Sequence, residues 1–222
     1  MTSTRTVLTC ALVFAGTAFL SAQDPVKVDA SHYKVLVDNA SVRVLDVHYP
    51  AGAKSVMHAH PDSVIVPLVA SKVRFNTPDG KFTDQEMASE SATCAPAGTH
   101  SPTNTGTTAV HALVIEFKGA GGKAVLPANR ASLTMKPIAE CARATAYRSV
   151  AEPAFSEPAG TKHDYDQIVI ALGAAQMSLA IDGKPAKTTW ARGDVQFIGR
   201  GVAHESKNTG GKPVNFIIVS IK

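Results

Sequence analysis

Short apolar runs separated by turn residues follow one another along the chain. Apolar and polar positions partly alternate over 41–48, and 64–69 is a short apolar run. The turn signal 77–80 ends the next run, and in the second half 167–172 and 176–181 flank a glycine. Short strands with a turn every roughly 8–12 residues are typical of a β-sandwich or β-barrel. No long amphipathic helix is predicted.

The two halves of the chain resemble each other. The repeated positions keep an offset of 103 or 104 residues and are, in order, His60 and His163, Asp79 and Asp182, His100 and His204, and Lys118 and Lys222. Several anchors at nearly one offset indicate a duplicated structural unit. We therefore predict two homologous units, at 30–118 and 146–222.

A connector separates these units. It opens with the glycine-rich run 119–122, so 119–145 is predicted to be a linker. The pattern over 132–148 is mixed and contains Pro137, which predicts at most one short helix there.

The segment 1–22 has the features of a secretory signal. Arg5 precedes the uncharged run 7–20, and the small residue Ala22 stands just before a polar break. A basic start, an apolar core and a small residue at the break predict export with cleavage after Ala22. An uncleaved membrane anchor is the alternative. The mature chain is expected to be periplasmic or secreted.

Composition narrows the class of protein. The chain has 222 residues, of which 45% are hydrophobic and 18% charged, and this is typical of a folded globular protein. The net charge is +4 and no run of five basic residues occurs, so a nucleic-acid partner is not expected. No membrane span is predicted in the mature chain. Cys94 and Cys141 remain after Cys10 is removed, either as a disulfide or as buried thiols.

The candidate chemistry lies with the histidines. His58 and His60 are two residues apart, and on a strand such positions share one face. Two neutral imidazoles on one face can chelate a divalent metal, with a third ligand from a facing strand. His100 follows Pro96 and Gly98, where a turn would bring the chain back, and is the expected third ligand. The alternative is a buried, hydrogen-bonded triad without metal.

These residues resemble the two motifs of the cupin family, G-x5-HxH-x3–4-E-x6-G and G-x5-PxG-x2-H-x3-N. Gly52, His58 and His60 match the first half of the first motif. His100 and Asn104 match the second, with one residue fewer before the histidine. The second unit matches more loosely, and together the matches cover nearly all of the mature chain. The resemblance implies an all-β bicupin, with two tandem jelly-roll barrels.

The first unit departs from the family pattern at the carboxylate position, which holds Val64. The remaining set of His58, His60 and His100 is similar to the three-histidine iron set of thiol and diketone dioxygenases in this family. The resemblance implies a divalent metal ion, Fe, Mn, Zn or Ni, with open positions for water, oxygen or substrate. In the second motif, Glu90 stands where a glycine is usual.

The second unit keeps only part of the pattern. His163, Gln167 and His204 occupy motif positions, and Thr161 replaces the first histidine. An amide oxygen is a poor ligand for a soft divalent metal. These residues are therefore expected to contact a small-molecule ligand or to form a buried polar cluster, without metal.

Other candidates lie outside the main pattern. Asp62 is two residues past His60 and is an additional candidate ligand if the strand continues through Pro61. Arg74 is a candidate anchor for an anionic substrate, the alternative being a solvated barrel rim. His48 and His111 are expected to be ordinary half-buried histidines.

Three functions stay open at this point. The first is an exported metal-dependent dioxygenase acting on a small organic substrate. The second is a binding protein that holds a small molecule or metal without turnover, and the third is a structural β-domain with residual histidines. No Ser-His-Asp spacing, phosphate loop or dinucleotide fingerprint occurs in the sequence. No catalytic residue is assigned, and a homodimer is left open.

Overall fold

The computed structural model describes residues 23–124 and 127–222, so the predicted signal segment 1–22 lies outside the described residues. One short helix, α1 (Pro25–Val28), begins after its N-cap Asp24. The remaining regular structure is β strand, as the short apolar runs predict. No helix within the described ranges is long and apolar enough to cross a bilayer.

The strands form two consecutive sets. The first set is β1 (Tyr33–Asp38), β2 (Val42–Tyr49), β3 (His58–His60), β4 (Ser63–Pro67), β5 (Ser71–Asn76), β6 (Phe82–Met87), β7 (Thr93–Ala95), β8 (Gly98–Asn104) and β9 (Val110–Phe117). The second set is β10 (Leu133–Glu140), β11 (Ala144–Ala151), β12 (Ser156–Thr161), β13 (Asp166–Ala171), β14 (Ala175–Ile181), β15 (Lys184–Trp190), β16 (Val195–Ile198), β17 (His204–Asn208) and β18 (Val214–Ile221).

Both sets pair in the same order. The first forms the sheets β1-β2-β9-β4-β7 and β3-β8-β5-β6, and the second forms β10-β11-β18-β13-β16 and β12-β17-β14-β15. Every strand of the second set thus takes the place of the strand nine positions earlier. This confirms the predicted all-β fold of two tandem jelly-roll barrels.

The repeated histidines fall at matching places in the two barrels. His58 pairs with His100 across β3 and β8, and Thr161 pairs with His204 across β12 and β17. His163 follows the end of β12 by two residues. The strand order therefore places the histidines of both halves in equivalent sheets, as the offset of 103 or 104 residues predicts.

The segment 132–148, where at most one short helix was predicted, contains no helix and forms the antiparallel hairpin of β10 and β11. Leu133 and Met135 alternate into the core of the second barrel. Pro137 is tolerated because β10 is an edge strand, and the register shifts between Pro137 and Ala139. The second set of strands thus begins at Leu133, within the predicted linker.

The five-stranded sheets of the two barrels pack against each other. One hydrophobic cluster combines Val44 and Leu113 of the first barrel with Ile168 and Ile217 of the second. Side chains alternate between the two faces of each strand, so Leu45 instead enters the interior cluster of its own barrel. The shared apolar layer therefore joins the two barrels.

A disulfide and a charged cluster also connect the barrels. Cys94 of β7 and Cys141, in the turn between β10 and β11, form a disulfide with 5.6 Å between their Cα atoms. Glu90, in the loop before β7, pairs with Arg148 at 2.6 Å and Arg192 at 2.5 Å, both from the second barrel. Its φ is +60°, the left-handed conformation that the motif glycine would adopt without strain.

Candidate metal centre in the first barrel

Three imidazoles converge inside the first barrel. His58 and His100 face each other across β3 and β8, and His60 lies two residues along β3 on the same face. The ring centroid of His58 lies 5.0 Å from that of His60 and 5.0 Å from that of His100. The centroids of His60 and His100 are 5.2 Å apart. The three ligand nitrogens lie within 4.8 Å of one another.

The hydrogen bonds of His58 define which nitrogen can bind a metal. Nδ1 lies 2.8 Å from the carbonyl oxygen of Val56, which can only accept, so Nδ1 carries the proton. Nε2 then keeps its lone pair, which accepts a hydrogen bond from the hydroxyl of Tyr33 at 2.8 Å. His58 is 0% exposed, so no bulk water competes for this nitrogen.

Glu116 positions His60. Nδ1 of His60 lies 2.6 Å from Oε1 of Glu116, while Arg43 donates through Nε to Oε2 at 2.5 Å. Burial alone would raise the pKa of Glu116, but the bonds from His60 and Arg43 outweigh it and hold the pKa below its usual value. The ionised carboxylate accepts from Nδ1–H and leaves Nε2 of His60 free for a metal.

The donor set fits a divalent ion. Metal-binding imidazoles must be neutral. Burial lowers the pKa of His58 to about 4, and burial with the neighbouring histidines lowers that of His100 to about 3. Both side chains are therefore neutral at physiological pH. Three imidazoles with a carboxylate behind one of them match late first-row divalent metals.

The three-histidine cluster borders an apolar cavity of about 50 Å³. Its polar lining is small and includes His60, His100 and the hydroxyls of Tyr33 and Tyr49. The Tyr49 hydroxyl donates to that of Tyr33 at 2.6 Å. Burial raises the pKa of Tyr33, which keeps this phenol protonated. Among the described residues, no lysine, arginine or carboxylate lines this cavity.

The structure places the predicted carboxylate position differently. Val64 lies in the layer between the barrels, 0% exposed, and its neighbours Ser63 and Ile65 on β4 line the cavity. The sequence spacing therefore assigned this position to the wrong face of the strand. Ser63 is the residue of the first barrel that corresponds to Gln167 of the second. Asp62 directly precedes Ser63, Asp166 directly precedes Gln167, and these two aspartates have the same role in their barrels. Each of these aspartates accepts from a backbone N–H of the opposing loop at 2.7 Å.

Two weaker candidates are not part of the metal centre. Asp62 accepts from the backbone N–H of Ala97 and is absent from the clustered ligand atoms. Arg74 pairs with Asp84 at 2.7 Å and lies over the ring of Phe82, on the exposed hairpin of β5 and β6. Arg74 is thus a surface residue, in agreement with the alternative that it lies on a solvated barrel rim.

The second barrel has a different polar cluster. His163 and His204, with ring centroids 4.8 Å apart, approach Glu157 of β12 at 3.7 and 3.5 Å. Arg130 pairs with Glu157 at 2.5 Å, and the Ser206 hydroxyl donates to it at 2.6 Å. Burial would raise the pKa of Glu157, but its hydrogen bonds and Arg130 lower it to about 2. A guanidinium therefore already neutralises this carboxylate.

The remaining motif positions of the second barrel offer no third imidazole. Thr161, opposite His204, donates its hydroxyl to the carbonyl of Pro158 at 2.8 Å. Gln167 and His163 line a second cavity of about 50 Å³, beside Tyr165, which stacks on His163. The cluster combines an ion pair with an apolar cavity, consistent with a polar core or a ligand-contact site.

Sequence reasoning missed Glu116, Tyr33 and Glu157. Glu116 is the one charge within the apolar strand 110–117, and a buried charge of this kind was the available signal. Tyr33 and Glu157 lie outside both motifs, on β1 and β12, and only the sheet pairing brings them to the histidines. Asn104 and Asn208 close the turns after β8 and β17, each accepting from a glycine N–H at 3.0 Å.

Solved structures with the same fold are known. AerE from Microcystis aeruginosa is 14% identical with a TM-score of 0.61, over 86% of this chain and 97% of that one. A variant of salicylate 1,2-dioxygenase from Pseudoaminobacter salicylatoxidans is 8% identical with a TM-score of 0.61, over 84% and 74%. Oxalate decarboxylase from Lactobacillus farciminis, in a formate complex, is 10% identical with a TM-score of 0.58, over 86% and 84%.

These likenesses establish the fold, which is that of cupin proteins. A dioxygenase and a decarboxylase are among these neighbours, and at these identities the likeness shows the fold alone. No protein-family model matches the sequence. No curated protein matches it either.

Proposed function

We propose that the first barrel binds a divalent metal through His58, His60 and His100, and that the protein is an exported dioxygenase acting on a small organic substrate. The observation that carries this proposal is the convergence of three buried imidazoles, one of them backed by the Glu116 carboxylate. A purely structural triad would not require a buried ion pair to orient one ring.

The chain itself supplies binding, orientation and a proton. A bound redox-active ion would supply Lewis acidity and electrons to dioxygen. The apolar cavity walls exclude water from the reacting groups. The Tyr33 hydroxyl accepts from Tyr49 and donates to Nε2 of His58. With a metal on that nitrogen, the proton at Oη of Tyr33 would be free to be donated to a substrate oxygen.

The substrate is proposed to be neutral and largely apolar. The cavity wall is formed mainly by hydrophobic side chains such as Val47, Ile65 and Phe75. A substrate carboxylate would be desolvated there without a cationic partner, which is costly. The phenols of Tyr33 and Tyr49 offer hydrogen bonds to a carbonyl or hydroxyl group instead.

A second candidate is binding of metal or a small molecule without turnover. The observation that favours it is the cavity volume of about 50 Å³, well below the few hundred Å³ of usual substrate pockets. A dioxygenase would need the cavity to open around its substrate, whereas a binding protein would not.

Metal content and oxygen uptake test the proposal. The tag-free mature chain is loaded with Fe²⁺, Mn²⁺, Zn²⁺ or Ni²⁺, dialysed and analysed, beside His58→Ala, His100→Ala, His163→Ala and His204→Ala. We expect one tightly held ion, lost only in the first two variants. Oxygen uptake with neutral candidate substrates then separates the dioxygenase from the binding protein. A parent that holds no ion would contradict the dioxygenase and leave binding of a small molecule without metal as the better account.

Export is part of the proposal. The Arg5 start and uncharged run of 7–20 motivate it, and the Cys94–Cys141 disulfide supports an oxidising compartment. Intact mass of the protein from its native compartment should correspond to a chain beginning at Gln23. A mass that still includes Cys10 would contradict removal of the signal.

A further inference from the structure

A second cluster of metal-binding groups lies outside the barrel interior. His48 on β2 and His111 on β9 are directly opposite each other in the antiparallel register, and Asp46 lies two residues before His48 on the same face. The two imidazole rings stack with centroids 4.0 Å apart. This face is opposite the one that carries Leu45 and Val47 into the first barrel's interior.

The two imidazole nitrogens of this cluster approach the same carboxylate oxygen. Nε2 of His48 lies 3.1 Å from Oδ1 of Asp46, and Nε2 of His111 lies 2.9 Å from the same oxygen. In a tetrahedral site with bonds of about 2.0–2.1 Å, neighbouring ligand atoms are roughly 3.3 Å apart. Each imidazole nitrogen therefore needs to move only a few tenths of an ångström away from the Asp46 oxygen to share an ion with it.

The second barrel forms one wall of this cluster. A Cβ atom on Gly193 would lie 3.7 Å from Cε1 of His111, which is ordinary van der Waals contact, so the second barrel packs directly beside this imidazole. The His48 side chain, in contrast, is 53% exposed. The cluster is therefore held on one side and open to solvent on the other, as an ion-binding site requires.

The duplicated fold does not require imidazoles at these positions. In the second barrel the matching cross-strand pair is Val150 and Asn215, and Arg148 takes the place of Asp46. The same sheet therefore forms there without any chelating set. Strand pairing therefore does not explain why histidines occupy both positions in the first barrel.

We propose that Asp46, His48 and His111 form a solvent-accessible site for a late first-row divalent ion such as Zn²⁺. Two imidazoles and one carboxylate on adjacent strands provide three of the four ligands of a tetrahedral site, and water provides the fourth. The site is independent of the three-histidine centre, because its side chains project from the opposite face of the sheet.

Calorimetric titration with Zn²⁺ tests this site. Metal-free, tag-free protein is titrated near pH 7.5, beside His48→Gln, His111→Gln and His100→Ala. We expect one equivalent to depend on His100 and a second, weaker one to depend on His48 and His111. The affinity of the second equivalent should fall at least tenfold in either surface variant. His32→Gln is the matched control, because His32 contacts a single carboxylate, Asp29, at 2.7 Å without a second imidazole.

The outcomes are distinguishable. If His48→Gln and His111→Gln titrate like the parent, or if His32→Gln weakens Zn²⁺ binding as much as they do, the surface site is refuted. If the parent binds only the Zn²⁺ equivalent that depends on His48 and His111, and none that depends on His100, the proposed function is refuted and this site stands. His48→Gln decides the matter even if His111→Gln folds poorly, because the His48 ring is mostly exposed.

Discussion

Glu116 lies 2.6 Å from Nδ1 of His60 and is the one carboxylate of the mostly apolar strand β9. The carboxylate is 1% exposed, and its other oxygen is bonded to Arg43. Burying a charge is costly unless it is paired, and here Arg43 and His60 pair the carboxylate. Orientation of one metal-binding imidazole is the role that the geometry supports.

Glu116→Gln should weaken metal binding at the three-histidine centre. The amide keeps the shape of the side chain but removes the charge that favours the Nε2 lone pair of His60. Loss of such a partner typically costs roughly 10–100-fold in affinity. Competition with a chelator measures the change. Glu86→Gln, on an exposed pair with Lys72, is the control and should bind metal like the parent. Equal affinity in Glu116→Gln would show that the carboxylate only neutralises Arg43.

Tyr33→Phe should retain the metal but lose turnover. The variant removes the protonated hydroxyl next to His58 while keeping the packing of the ring. A positioned proton donor contributes roughly 10²–10⁴-fold, so kcat for oxygen uptake should fall by about 10²-fold or more. Tyr147→Phe changes a buried tyrosine of the second barrel and serves as the control. Unchanged turnover with Tyr33→Phe would exclude this proton donor.

The metal-free protein should lose stability as the pH falls from 6.5 to 5. Burial lowers the pKa of His58 to about 4 and of His100 to about 3, whereas both titrate near 6.5 in an unfolded chain. The unfolded state therefore binds protons that the folded state does not. The free energy of unfolding should fall by about 2 kcal/mol for each imidazole over this range. Urea unfolding at several pH values measures it.

Two variants test the sign of this pH dependence. His100→Gln should flatten the decline, because one depressed pKa is removed. For His204, burial would lower the pKa, but Glu157 outweighs it and the pKa is raised. Its contribution to stability is present at low pH and is lost as the pH rises through the folded pKa, so His204→Gln should steepen the decline. The same dependence of unfolding free energy on pH in the parent, His100→Gln and His204→Gln would contradict these pKa shifts.

Reduction of the Cys94–Cys141 disulfide should destabilise the fold. The bond links β7 to the turn between β10 and β11 and closes a loop of 47 residues in sequence separation. Chain entropy predicts a loss of about 4 kcal/mol on its removal. Urea unfolding of the parent and the Cys94→Ser, Cys141→Ser double variant measures it. Addition of dithiothreitol should lower the urea midpoint of the parent but not that of the double variant. Coincident unfolding curves of the two proteins without dithiothreitol would show that the bond adds no stability.

Glu90→Ala should destabilise the protein more than Glu90→Gly. Both changes remove the ion pairs to Arg148 and Arg192 that join the barrels. Only glycine adopts a φ of +60° without steric cost, and alanine pays about 1 kcal/mol there. The difference in unfolding free energy between the two variants measures this strain separately from the ion pairs. A smaller loss with alanine would contradict it.

The sequence by itself determined the class of fold and most of the candidate metal centre. Alternating apolar residues and frequent turns specify short strands, and the offset of 103 or 104 residues specifies a duplication. The spacing of His58 and His60 places both imidazoles on one face, since side chains alternate along a strand. These are local or periodic features, which a linear chain displays directly.

The tertiary structure alone decided which distant residues meet. Glu116, Tyr33 and Arg43 reach the histidines from three other elements, through pairings that no short-range pattern encodes. The same holds for the Cys94–Cys141 bond.

Strand register and sheet edges account for the remaining differences. A shift of one residue moves a side chain to the other face, which is why Val64 lies between the barrels and Ser63 lines the cavity. Pro137 could sit in a strand because β10 is at a sheet edge, where one missing N–H breaks no ladder. Position in the sheet is a property of the whole assembly of strands, so local sequence could not supply it.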